Sequence, residues 1–205
     1  MIETMKTMRL IDNMPKDEMK SYHFAEGPGG FIEAIAYLRD KQTDQYFGMT
    51  LLDENDGSVP GWKKSQTFLD NNPNVIIERG ETGDGDMLKA DNLKECYKKH
   101  NNSCDLVTAD GGFDFTNDYI NQEYNFMRLF LCEIILALKL QKKNGTFIIK
   151  CFDITNIFNL KLFYLLCHLY EKVIITKLKT SRQTNSERYI ICKKLKFRLN
   201  DKIIK

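Results

Sequence analysis

Short apolar runs and longer amphipathic stretches alternate along the whole chain. Runs at 22–26, 46–52, 74–78, 104–110, 145–152, 172–178 and 188–195 predict seven strands. Phe31, Ile32, Ile35 and Leu38 fall on one side of a helix, and Phe126, Leu129, Phe130, Ile134, Ala137 and Leu138 do the same within 121–140. Residues 89–99 read as a polar helix and 160–170 as a buried one, and a first helix carries Lys6. Between the second and third strands, 53–70 reads as a polar loop punctuated by Gly57, Pro60 and Gly61.

Strands separated by helices of about ten residues or more require crossover connections, so the pattern predicts an α/β fold. The sheet is expected to be Rossmann-like, doubly wound, seven-stranded and mostly parallel. The last two strands have only the link 180–187 between them, which makes the final strand antiparallel to its neighbour. With 205 residues, no internal repeat and no linker composition, the chain is expected to be one domain spanning 1–205.

Composition narrows the class without naming a function. Hydrophobic content of 42% and charged content of 28% suit a soluble globular protein. The longest apolar stretches are broken by Glu133 and Lys161 and fall short of the ~20 residues that span a bilayer. The start, Met1 to Lys6, lacks the apolar core of a secretion signal. Cys96, Cys104, Cys132, Cys151, Cys167 and Cys192 show no zinc-ligand spacing and read as small buried hydrophobes, so no metal is expected. A reducing compartment follows, cytoplasmic or nuclear, or a viral factory or virion for a viral protein. The net charge of +2 hides an asymmetry: 172–205 carries eleven Lys and Arg residues against only Glu187 and Asp201. That segment is either a polyanion footprint or a solvated edge strand guarded by lysines.

Candidate chemistry gathers where strands end, the position at which open α/β sheets bind ligands. Gly27-Pro28-Gly29-Gly30 follows the first strand and opens a helix, a device that brings backbone N–H groups close to an electron-rich ligand. By itself the turn fits any nucleotide or none, and its spacing fails the dinucleotide fingerprint. In Gly83-Asp84-Gly85-Asp86-Met87 an Asp could accept from an exocyclic amine, or the segment is simply a turn. Asp110, Lys150 and Glu187 close or open apolar strands and are either a buried ion-pair group or a site. His23, His100 and His168 read as structural or solvated.

Six ordered blocks settle between these readings: Gly27-Pro28-Gly29-Gly30-Phe31, Phe47-Gly48-Met49-Thr50-Leu51, Gly83-Asp84-Gly85-Asp86, Ala109-Asp110-Gly111-Gly112-Phe113, Lys150-Cys151-Phe152-Asp153, and Ser181-Arg182 through Cys192-Lys193. Together they resemble the FtsJ/RrmJ-type ribose 2′-O-methyltransferases. The Ser-Arg…Asn-Ser-Glu-Arg-Tyr block is most similar to the eukaryotic and viral mRNA cap enzymes.

The resemblance implies transfer of a methyl group from S-adenosylmethionine to a ribose 2′-hydroxyl, at the first transcribed nucleotide of capped mRNA. Ribosomal or transfer RNA, or a non-catalytic RNA-binding role, are the alternatives. It implies a Lys-Asp-Lys-Glu tetrad of Lys6, Asp110, Lys150 and Glu187, with Lys16 and Lys20 as fallbacks for the first position. Lys150 is then the general base or orienting group and Lys6 stabilises alkoxide charge. Cofactor contacts map to Ala25, Glu26, Gly27, Pro28, Gly29, Gly30, Phe31, Asp86 and Met87. Substrate contacts map to Asn121, Gln122, Arg182 and Arg188, with Phe115 and Tyr119 as stacking candidates. Partners implied are capped RNA and further capping-machinery subunits or domains, with no membrane. Glu26 departs from the family, which usually has a small residue there: it either approaches the cofactor's cationic end or is a helix N-terminal charge.

Overall fold

A computed structural model of the chain describes residues 1–53, 55–57, 59–112, 119–152, 154, 156–182 and 184–197, with side chains omitted at 119–125. Seven strands, β1 (Lys20–Phe24), β2 (Gln45–Met49), β3 (Val75–Glu78), β4 (Cys104–Ala109), β5 (Gln141–Cys151), β6 (Tyr170–Thr176) and β7 (Arg188–Leu195), form one sheet in the order β3-β2-β1-β4-β5-β7-β6. Pairings from β3 through β5 are parallel, and β7 runs antiparallel to both β5 and β6. This is the expected architecture, with the antiparallel strand inserted beside the edge strand β6.

Side chains alternate across the sheet and make two apolar layers. On one face Phe24, Phe47, Val107, Phe147, Ile149 and Cys192 meet α5 (Tyr119–Leu140) and α6 (Ile157–Leu169), with Cys96 of α4 (Ala90–His100). On the other, Tyr46, Leu106, Ile148, Tyr189 and Ile191 meet α1 (Ile2–Thr7) and α2 (Gly30–Arg39) through Met5, Phe31, Ile32 and Ile35. The central strands read as nearly unbroken apolar runs because both faces are covered.

The 53–70 segment is more ordered than a polar loop: it holds a 3₁₀ turn at Lys63–Ser65 and α3 (Gln66–Asn71). Its anchor is Trp62, buried flat against Gly48 and Gly29, where an added Cβ would stand 2.8 Å and 3.2 Å from the indole. β1 ends at Phe24, before Glu26, because Ala25 turns at φ 50°. All six cysteines are free thiols, and Cys167 is exposed. Among the described residues no helix is long and apolar enough to cross a membrane.

Several C-terminal lysines have partners within the fold. Lys193 donates to the Met8 carbonyl, Lys196 to His168 and Lys177 to Asn185 and Glu187, while Lys194 pairs with Glu171. Lys179 and Arg182, next to Glu187 in the β6–β7 link, remain exposed.

Candidate active site

Strand register brings the chemistry together. Phe24, Ala109 and Ile149 stand level on the three central parallel strands, so Asp110 and Lys150, each one residue further, emerge side by side. Antiparallel pairing sets Tyr189 opposite Lys150, and Glu187 enters from just before β7 at the same edge. A cavity of about 610 Å³ opens there. Its walls come from Ala25 and Gly27 after β1, Thr50 and Leu51 after β2, Gly85 to Leu88 after β3, and Asp110 and Gly112 after β4. Lys150 of β5, Phe152 just after it, Leu129 of α5, Val59, Pro60 and Glu187 complete it.

At its end the Lys150 ammonium lies 3.3 Å from Asp110 Oδ1 and donates to the Asp110 carbonyl at 2.6 Å. The Tyr189 hydroxyl donates to the same Oδ1 at 3.0 Å. Burial pushes the Asp110 carboxyl above its ordinary range despite the pull of Lys150 and Tyr189, and the nearby Glu187 pushes it the same way. Glu187 accepts from Ser181 Oγ at 3.1 Å, and Lys177 clamps its carbonyl, so the link holds the carboxylate over the cavity.

Lys6 is not part of this contact set. Thr4 and Met5 are the buried residues of α1, which turns the next side chain to solvent; among the described residues the Lys6 ammonium makes no hydrogen bond or ion pair. The helix itself leans on the site, since Glu3 accepts from the Lys179 and Thr180 N–H groups and the Met1 ammonium feels Asp110 and Glu26. Of the fallbacks, Lys16 is exposed and Lys20 covers the Phe47 ring at 4.8 Å.

The Gly-rich turn divides. Ala25 and Gly27 line the cavity, whereas Pro28, Gly29 and Gly30 lead into α2 and Phe31 is buried 6.0 Å from the Tyr189 ring. Glu26 also turns away. Its Oε1 accepts from the Phe31 and Ile32 N–H groups, the latter at 2.9 Å, so it caps α2 from inside the protein. The helix N-terminal role is the one observed, because the free donors of α2 lie within reach and the cavity lies on the other side of the turn. Asp86 lines the cavity while its Oδ1 accepts from Leu88 N at 2.8 Å, and the buried Met87 lies beside it. Asp84 is the turn-former, holding Thr82, Asn92 and Lys89. The side chains of Asn121, Gln122 and Tyr119, and all of Phe115, lie outside the described residues. Arg188 is half-buried in β7 and Arg182 is exposed.

Burial raises the Glu26 pKa to about 8 from 4.5, although the α2 N–H groups favour its charged form. His23, which bonds Ser21 and Thr108, is lowered to about 3 by burial. Between pH 4.5 and 8 folded Glu26 holds a proton that the unfolded chain has lost, so stability falls as pH rises, by roughly 1.4 kcal/mol per unit. Above pH 6.5 His23 is neutral in both states and drops out. The Glu26→Gln variant should therefore lose less of its thermal midpoint than wild type between pH 6.5 and 8. Equal slopes would refute the protonated carboxyl.

The FtsJ-like methyltransferase family profile matches residues 1–195. The chain belongs to that family. Its FtsJ-like sequence is 33% identical over 196 residues to the cap-specific mRNA (nucleoside-2′-O-)-methyltransferase 1 of Mus musculus, and 34% identical over 192 to that of Homo sapiens. These alignments cover 92% and 90% of the chain, which spans only 23% of the length of either relative. A Streptococcus mutans protein solved in complex with SAH has the same fold, with a TM-score of 0.59, 12% identity and coverage of 94% of this chain and 98% of its own. The cofactor class of the FtsJ-like family is S-adenosylmethionine. The cavity fits it: Leu51, Val59, Pro60, Met87 and Leu88 offer apolar walls for a base, Asp86 offers a carboxylate, and Ala25 and Gly27 bring backbone close.

Sequence reading missed Thr50, Leu51, Val59, Pro60 and Leu129 as cavity walls and Tyr189 as a partner of Asp110. Tyr189 was legible in principle, since an antiparallel final strand must place some residue opposite Lys150.

Proposed function

We propose that this chain transfers a methyl group to a ribose 2′-hydroxyl of RNA, and that the RNA is capped mRNA methylated at its first transcribed nucleotide. The observation that carries the reading is the Lys150 amine, held by Asp110 at the mouth of a nucleoside-sized cavity with Glu187 beside it. The cap-specific names of the two relatives favour mRNA over other RNA. Residues 1–205 act in this reading as one catalytic domain, with further capping subunits or domains as partners.

When bound, S-adenosylmethionine supplies an electrophilic methyl on a sulfonium. The chain must do the rest, because a ribose hydroxyl is a poor nucleophile at neutral pH. Lys150, in its neutral form, takes the hydroxyl proton. Asp110 and Tyr189 fix where its nitrogen points, and Glu187 orients the incoming sugar. Lys6, exposed on the helix above this edge, meets the substrate from solvent and steadies the developing oxyanion. Arg182 and Lys179 receive backbone phosphates.

Tritiated methyl transfer to short RNAs tests the proposal, with the label mapped by nuclease digestion. We expect label on cap-bearing RNA, at the nucleotide next to the cap, and little on a triphosphate-ended control. Equal labelling of both would move the substrate to another RNA. No label on any RNA, by protein that binds the cofactor, would overturn the methyl transfer itself.

A further inference from the structure

A second carboxyl group lies directly behind the Asp110–Lys150 pair. Glu133, on α5, is only 1% exposed and sits among the core residues Phe130, Ile134 and Ala137. Burying such a group without purpose is costly. Its Oε1 accepts from the Gly111 N–H at 3.1 Å, and its buried Oε2 has no hydrogen-bond partner among the described residues. A Cβ on Gly111 would come within 2.3 Å of Oε1, so glycine is what lets the turn approach the carboxyl.

That turn is the one that holds Lys150. On one side of Gly111, Asp110 binds the ammonium through its carbonyl and carboxylate. On the other, a Cβ on Gly112 would lie 3.1 Å from Lys150 Nζ. Glu133 thus grips the middle of a three-residue turn whose two ends set the position of the amine.

We propose that Glu133 is a positioning residue for Lys150, acting through the Asp110–Gly112 turn. The proposal rests on Lys150 as the proton acceptor. Burial raises the Glu133 pKa to about 8, so near pH 7 a neutral carboxyl accepts the Gly111 N–H without setting another anion behind Lys150. A glutamine keeps that acceptor and that neutrality. An aspartate, one methylene shorter, withdraws the oxygen from Gly111.

The test compares Glu133→Gln, Glu133→Asp and Lys150→Met in the full chain. The readouts are methyl transfer to the capped RNA, S-adenosylmethionine affinity by calorimetry, and exchange of the Gly111 amide hydrogen. Misplacement of a reacting group by about an ångström can cost ~100-fold, so Glu133→Asp should lower kcat at least about tenfold with cofactor affinity unchanged. Glu133→Gln should keep kcat within about threefold, and Gly111 should exchange about tenfold faster in the Asp than in the Gln variant, as loss of one hydrogen bond implies. Wild-type kcat in Glu133→Asp, a Gln variant as slow as the Asp variant, equal exchange rates, or parallel loss of kcat and cofactor affinity would each overturn the role. An inert Lys150→Met beside a fully active Glu133→Asp would sink this inference alone. An active Lys150→Met would sink the base assignment as well.

Discussion

Replacing Lys150 by methionine should remove methyl transfer and leave the cofactor site intact. The side chain is mostly buried, at 12% exposed, so methionine keeps the packing of the aliphatic stem while deleting the ammonium. General-base assistance contributes roughly 10²–10⁴-fold, and kcat should fall by that order. Asp110 loses its cation but keeps the Tyr189 hydroxyl and partial access to solvent at 28% side-chain exposure, so the fold should survive. Cofactor affinity, measured by calorimetry, should stay within about fivefold, because one lost hydrogen bond is worth about 1 kcal/mol. Turnover within tenfold of wild type would show that another group takes the proton. A collapse of cofactor binding with turnover would make Lys150 structural.

Much of this arrangement was legible in the sequence for a physical reason. Parallel strands covered on both faces must be continuous apolar runs, and a charged residue that ends such a run marks the sheet edge. Asp110 and Lys150 were found that way, and the short 180–187 link announced the antiparallel β7 that delivers Glu187. Sequence position left two points open. Glu26 fitted either a cofactor contact or a helix N-terminal charge, and the direction of the Lys6 side chain was not set. Side-chain direction, though, depends on packing that periodicity does not encode: the nearest free N–H groups claimed Glu26, and the burial of Met5 turned Lys6 outward. Trp62 lay in a polar stretch whose order comes from two distant glycines. Lysines of 172–205 looked like one footprint in sequence, and the carbonyls of Met8 and His168 that occupy two of them are visible only in three dimensions.

The complementary result concerns binding without chemistry. Gly85→Ala should lose cofactor affinity by at least about tenfold, the equivalent of about 1.4 kcal/mol, because the added Cβ would force the Thr50 backbone, a wall of the cavity, to move. Gly85 has φ +66°, and a Cβ there would stand 2.0 Å from the Thr50 carbonyl oxygen and 2.9 Å from its carbon. Both are backbone atoms, so relief requires the chain to move. It is pinned on both sides: Gly85 N donates to Arg79 O at 2.7 Å and Leu52 N to Asp84 O at 2.7 Å. Thr50 also accepts from Gly27 N at 3.2 Å, so pushing it aside drags the Gly-rich turn along, and three walls of the cavity shift together. Gly83 supplies the control, with φ +77° and nothing within 4 Å of an added Cβ among the described residues. Gly83→Ala should carry the conformational cost in its melting temperature while keeping affinity within about threefold. Equal losses of affinity in the two variants would mean that strain, and not the close approach of Gly85 to Thr50, shapes the cavity.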